Sequence, residues 1–152
     1  MPQSETELAD RVLRLEREAA LLRLPHVYAQ AIDRRDRTTL GDLFTTDAVF
    51  ERPPKPTRDY NSICAIPDEL ESRYLRTYHA VYNQTFEIDG TTATGEVYCI
   101  AHHMFANHDD FGASYDLRIR YQDRYVLGAD DRWRFTYRCV LVDGRQVIPV
   151  VL

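Results

Sequence analysis

A histidine becomes a useful general base when a carboxylate hydrogen-bonds one of its ring nitrogens. That contact fixes the tautomer and stabilises the imidazolium formed when the other nitrogen takes a proton. The chain has five histidines, His26, His79, His102, His103 and His108. His102 and His103 fall in an extended run and point to opposite sides of any strand that holds them, so at most one faces a given pocket. The His102 side also carries Met104, Ile100, Tyr98 and Glu96. The His103 side carries the smaller Ala101, Cys99 and Val97, which suit sheet packing or a subunit interface. His102 is therefore the expected pocket-facing residue, and a β-bulge would invert that choice. Tyr28 and Asp33 stand on one helical segment, ~140° apart around its axis. Both reach one cavity only if the helix runs along its rim or frays near Asp33. Asp33 would then offer the carboxylate, and Tyr28 a phenolic donor for a carbonyl or leaving oxygen.

Other chemistries lack their usual carriers. The only lysine, Lys55, sits in the loop Pro53-Pro54-Lys55-Pro56, a poor place for the apolar pocket that a Schiff-base lysine needs. The glycines stand singly, so no phosphate-cradling GxGxxG or GxxxxGK[ST] occurs, and there is no GxSxG elbow. Cys64, Cys99 and Cys139 are too far apart for a zinc ribbon or a disulfide framework. His102, His103, His108, Asp109 and Asp110 are metal ligands by type, but HxH and HxxxH spacings are absent and adjacent strand histidines diverge. Neither a metal nor a cofactor is expected. The net charge of −5, with scattered basic residues, argues against a nucleic-acid partner. No apolar run reaches the roughly 18–20 residues of a membrane span, and no secretory leader is visible at the start. The expectation is a cytoplasmic protein with reduced thiols. Arg118 to Arg124 reads as a charged strand face opposite Arg132, Arg134 and Arg138, any one of which could reach a ligand.

The elements that must position these groups form a simple series. Ser4-x-x-Glu7 offers a capping box, followed by Leu8, Val12, Leu15, Ala19 and Leu22 at helical spacing. Pro25 should end or kink that helix, with a second segment from His26 to Arg35. Thr38 or Thr39 can cap a short third helix through Leu40 and Leu43-Phe44. Ala48 to Phe50 reads as a short strand, then a proline-rich irregular stretch runs to Ile66. Pro67 to Leu75 has the proline start and early acids of another helix. From His79 onward β-branched and aromatic residues dominate, with strands expected near 79–88, 92–106, 114–127 and 133–150. Asp89-Gly90 marks a hairpin, and 106–112 and 128–131 mark turns. Helices followed by an antiparallel meander give an α+β fold, residues 1–152 forming one domain. A strongly curved sheet leaves a cavity between itself and the helices.

The order of these segments resembles the SnoaL-like domains of the nuclear-transport-factor-2-like superfamily. The resemblance is carried by Tyr28 to Asp36, Leu43 to Phe50, His79 to Asn83, Ala93 to His103, and Arg120 to Arg124 with Trp133 to Arg138. It implies a cone-shaped α+β barrel with N-terminal helices packed on a curved, mostly antiparallel sheet around an apolar pocket. It further implies a cofactor-independent lyase of the scytalone dehydratase or bile acid 7α-dehydratase type. Such an enzyme would act by dehydration or retro-aldol cleavage on a hydroxylated aromatic or polycyclic small molecule. His79 would be the base, Asp33 its orienting carboxylate, and Tyr28 and His102 the acids. Phe50, Tyr98, Ile100 and Met104 would supply the apolar wall. Phe50 departs from the pattern, since scytalone dehydratase presents a tyrosine there. The alternatives are a ketosteroid-isomerase-like isomerase or cyclase, and a ligand carrier or small subunit resembling the aromatic-ring dioxygenase β chain. The resemblance also implies a homo-oligomer, a trimer rather than a dimer.

Overall fold

A computed structural model describes residues 5–106 and 111–151. The Ser4 capping box and the 107–110 turn, with His108, Asp109 and Asp110, lie outside the described residues. Helix α1 runs unbroken over Glu5–Asp33, with Pro25 inside it. This corrects the expected break. The proline still removes an amide donor, but its ring is buried with Leu21, Leu24 and Tyr28, and that packing overrides the local preference. Leu8, Val12 and Leu15, which follow at helical spacing, are exposed. The helix packs on the rest of the fold from Arg17 onward, where Arg17 pairs with Asp131 at 2.8 Å and the Trp133 indole donates to the Arg17 carbonyl at 3.0 Å.

Helix α2, Arg37–Asp42, is capped by Asp36, two or three residues before the expected threonines. Strand β1, Phe44–Glu51, is longer than the three residues anticipated. Helices α3, Tyr60–Cys64, and α4, Ile66–Glu71, follow, and α3 lies in the stretch expected to be irregular. Strands β2, Arg76–Asp89, β3, Thr92–Ala106, β4, Phe111–Leu127, and β5, Trp133–Val151, fall within three residues of their expected bounds. Gly90 takes φ +58° in the β2–β3 turn, the left-handed conformation this hairpin demands.

The sheet order is β1-β5-β4-β3-β2. All neighbours are antiparallel except β1, which lies parallel to β5. The sheet curves without closing, so β1 and β2 remain edges and the fold is an open cone, not a sealed barrel. A register shift on β2 between Val81 and Gln84 matters most for the site. Counted from the hairpin, His79 would sit opposite His102, but the bulge sets it opposite Ala101 instead. Directly paired residues share a face, so His79 joins Ala101 and His103 on the concave side under α1. Among the described residues, no helix is long and apolar enough to cross a membrane.

Candidate active site

Asp33 is the last residue of α1. A carboxylate is disfavoured there by the negative end of the helix dipole, so something else must hold it. Arg35 takes a left-handed φ of 59° and turns the chain, and its guanidinium donates to the Ile32 carbonyl and the Thr77 hydroxyl, both at 2.8 Å. Thr77 in turn donates to Asp33 Oδ1 at 2.9 Å. The His79 amide donates to Asp33 Oδ2 at 2.8 Å, and His79 Nδ1 lies 2.7 Å from Asp33 Oδ1. Burial alone would raise the Asp33 carboxyl, but these hydrogen bonds outweigh it and hold the group below the usual carboxylate range. An ionised Asp33 can only accept, so Nδ1 carries a proton, and in the neutral ring the lone pair is on Nε2. Nε2 has no protein partner among the described residues, and the His79 side chain is 7% exposed at a cavity wall.

That cavity, about 90 Å³, lies between α1, the loop after β1, α4 and the concave face of the sheet. Tyr28 and Phe50 line it. Below Tyr28 lies a buried arginine. The Arg138 guanidinium sits 4.2, 4.0 and 4.2 Å from the ring centres of Tyr28, Tyr121 and Phe135. Asp123 holds it through two bonds of 2.8 and 2.7 Å. Burial raises the Tyr28 hydroxyl, with Arg138 opposing, and the net effect is upward, so the phenol stays protonated. Arg138 is therefore a cross-strand partner of the Arg118–Arg124 run, as expected, opposite Asp123, but it is buried as an ion-paired floor strut.

His102 does not face this cavity. It lies on the opposite face of β3, where Nδ1 meets Asp116 Oδ1 at 2.9 Å and its ring lies near Tyr78. Ser114 also hydrogen-bonds Asp116, and not the histidine, so the trio does not form a nucleophile–base pair. Tyr98, Ile100 and Met104 share that outer face and line no part of the cavity. The correction has a packing reason. Val97, Cys99, Ala101 and His103 form the buried side of β3, and the concave face they join also takes the large Tyr121 and Phe135, so side-chain size does not tell the two faces apart.

His103 is the cavity residue that the face-size argument missed. Its Nδ1 lies 3.0 Å from the Tyr115 carbonyl, which can only accept, so Nδ1 carries the proton. Its ring stands edge-on to His79, 5.9 Å between centres. Burial pushes the imidazole down to about 4, with the Tyr115 carbonyl opposing and His79 and Arg52 adding to the fall. His103 is thus neutral near pH 7, with Nε2 a hydrogen-bond acceptor.

This has a consequence for stability. The unfolded chain binds the His103 proton near the ordinary value of 6.5, whereas the folded chain resists it until about 4. Between those limits the unfolded state holds more protons, so stability rises with pH. On lowering the pH from about 6.5 to about 4, His103 should remove up to roughly 3 kcal/mol of stability. His103→Asn keeps a donor for Tyr115 and cannot titrate. Urea unfolding across this range should show a shallower fall for the variant, and equal slopes would refute the assignment.

The loop after β1 closes the roof. Phe50 and Arg58 exchange backbone hydrogen bonds of 3.0 and 2.8 Å, pinning both ends of the segment that carries Arg52 and Lys55. Arg58 then makes a bidentate pair with Glu69 of α4, at 2.5 and 2.8 Å. This is the structural role of the segment that the sequence left without one. Cys99 lies beneath the cavity with its thiol pushed up to about 11 by burial, so it is no nucleophile at neutral pH. No cluster of three metal-ligating side chains occurs among the described residues.

Residues 13–139 match the SnoaL-like domain family. No curated protein matches the chain. Among solved structures, a candidate scytalone dehydratase from Novosphingobium aromaticivorans is 18% identical with a TM-score of 0.79, covering 90% of each chain. A hexachlorocyclohexane dehydrochlorinase from Novosphingobium barchaimii is 16% identical with a TM-score of 0.78, covering 91% of this chain and 94% of its own. A candidate aromatic-ring hydroxylase from Novosphingobium aromaticivorans is 20% identical with a TM-score of 0.74, covering 90% and 94%. At these identities the likeness is one of fold, and the fold carries differently described proteins.

Proposed function

The chain belongs to the SnoaL-like domain family, and from that premise we propose that it is a cofactor-independent lyase acting on a small hydroxylated aromatic molecule. The observation that carries this reading is the Asp33–His79 contact of 2.7 Å, with the unpartnered Nε2 at a cavity that Tyr28 also lines. For a β-hydroxy ketone, His79 Nε2 takes the α-proton as electrons move onto the carbonyl oxygen, held by the Tyr28 hydroxyl. The carbonyl then re-forms, the C–O bond breaks, and the imidazolium returns its proton to the departing hydroxyl, releasing water. For a retro-aldol cleavage the same nitrogen takes the hydroxyl proton, the C–C bond breaks, an aldehyde leaves, and the carbanion is reprotonated. His103 Nε2 accepts from a substrate hydroxyl in either case. It takes the cavity-facing place given to His102 by the sequence, but as an acceptor and not an acid.

The test is turnover of a panel of β-hydroxy aryl ketones, read by enone absorbance and product mass. A product lighter by water or by an aldehyde is the expected result. A product of unchanged mass would replace this reading with the isomerase. Binding without turnover, unaffected by His79→Gln, would replace it with the carrier. A homo-oligomer is proposed as well, with the convex face bearing Tyr78, Tyr82 and Tyr98 as its contact, and these side chains are exposed in the single chain. A sedimentation mass of 17.8 kDa, that of one chain, would remove it.

A further inference from the structure

The cavity mouth is far more basic than the rest of the molecule. Four cations, Arg52, Lys55, Arg58 and Arg73, line it, and Glu69 is the only carboxylate among them. Glu69 is already engaged by Arg58. Arg52, Lys55 and Arg73 form no ion pair and no side-chain hydrogen bond among the described residues. All three continue into an adjoining basin of about 190 Å³, which Arg145, also without an ion pair, completes. The two spaces meet at His103, which lines both, and together they approach the ~300 Å³ lower end of small-molecule sites. In a chain of net charge −5, gathering unneutralised cations at one mouth is electrostatically costly. Mutual repulsion is felt there, since the Lys55 ammonium is pushed down first by Arg52, then by burial and by Arg73 and Arg58. A solvated surface face would intersperse carboxylates, as Arg120 with Asp143 and Arg134 with Asp130 do elsewhere.

We propose that this basin is an oxyanion subsite, in which Arg52, Lys55 and Arg73 hold a carboxylate or phosphate group of the substrate while its reacting carbon lies at His79. The inference rests on the reading of the cavity as the substrate site, and it narrows the substrate class to anionic aromatic molecules. Arginine forks suit planar or tetrahedral oxyanions through paired hydrogen bonds. His103, neutral and shared by both spaces, marks the boundary between the anion end and the reacting end. An anchored charge remote from the reacting bond also supplies binding energy that orients the substrate.

The test is calorimetric titration with 1-naphthoate, 1-naphthyl phosphate and the neutral methyl 1-naphthoate, on the wild-type chain and on His79→Gln. At least one anion should bind about tenfold or more tighter than the ester, and in both proteins. The preferred anion identifies the group as carboxylate or phosphate. Arg52→Gln/Arg73→Gln should lose the preference while its melting temperature stays near that of the wild type, and Lys55→Gln gives a milder second readout if the double variant fails to fold. The subsite is refuted if neither anion outbinds the ester, or if the preference survives loss of the charges. Because His79→Gln retains anion binding, failure of the lyase reading and failure of the subsite give different results.

Discussion

Substituting His79 with glutamine should lower kcat on a responsive β-hydroxy aryl ketone by 10²–10⁴-fold, with KM little changed. The side chain touches the reacting proton and little else that binds substrate. Asp33→Asn should produce a loss of similar size for a different reason. The aspartate accepts from Nδ1 and so keeps the lone pair on Nε2, at the cavity. An asparagine in the same place can still accept from the His79 amide with its oxygen in the Oδ2 position. Its amide nitrogen, however, can turn toward Nδ1 and donate, which moves the ring proton to Nε2 and blocks proton abstraction. The two residues act as one base, so the double variant should be no slower than the worse single one. Steady-state kinetics on the three variants decides the matter. A residual rate within tenfold of wild type for His79→Gln would remove the base assignment, and additive losses would separate the pair.

Much of the scaffold was legible because its signals are local. Asp89-Gly90 fixed one hairpin, β-branched and aromatic runs fixed four strands, and Pro67 marked a helix start. Two departures arise from packing, which no local rule sees. Pro25 stays helical because its ring is buried. Leu8, Val12 and Leu15 have helical spacing but lie on turns that reach beyond the packed part of α1, so their periodicity predicts a helix and not a core. The site divides in the same way. Asp33, His79 and Tyr28 were reached through a family resemblance, whereas which of the two β3 histidines shares the face of His79 depends on the register of β2 against β3. A single bulge between Val81 and Gln84 decides that register, and the segment Val81-Tyr82-Asn83-Gln84 has no glycine or proline to announce it. Side-chain size pointed the wrong way, because β4 and β5 fill the concave face with the large Tyr121, Tyr125 and Phe135, and the small residues of β3 leave room for them. The basic mouth was also invisible, since Arg52, Lys55 and Arg73 come together only when the pinned loop and α4 fold over the sheet.

Asp123→Ala should be the most destabilising single change in the molecule. Asp123 is 3% exposed and Arg138 is fully buried, so neither charge has water to fall back on. The carboxylate takes two bonds from Arg138 and a third, of 2.8 Å, from the Tyr125 hydroxyl. Three aromatic faces attract the guanidinium, but they do not neutralise it. Its Nη1 already lacks a hydrogen-bond partner, so the site has no spare acceptor to replace the carboxylate. Removing one partner of such a pair costs about 3–5 kcal/mol, which at this chain length lowers Tm by roughly 10 °C or more. Removing both charges is a different matter. Asp123→Leu/Arg138→Met leaves no uncompensated ion, only the Tyr125 hydroxyl unpaired, at a cost of about 1–3 kcal/mol. The double variant should therefore be more stable than Asp123→Ala, although it changes more atoms. Thermal melts of the single and double variants test this, and a loss below about 1 kcal/mol for Asp123→Ala would refute it. The same experiment bears on function. Arg138 stacks beneath Tyr28 at 4.2 Å, so the double variant should fold yet respond less well to substrate, the phenol having lost both its floor and the charge that opposes its upward shift.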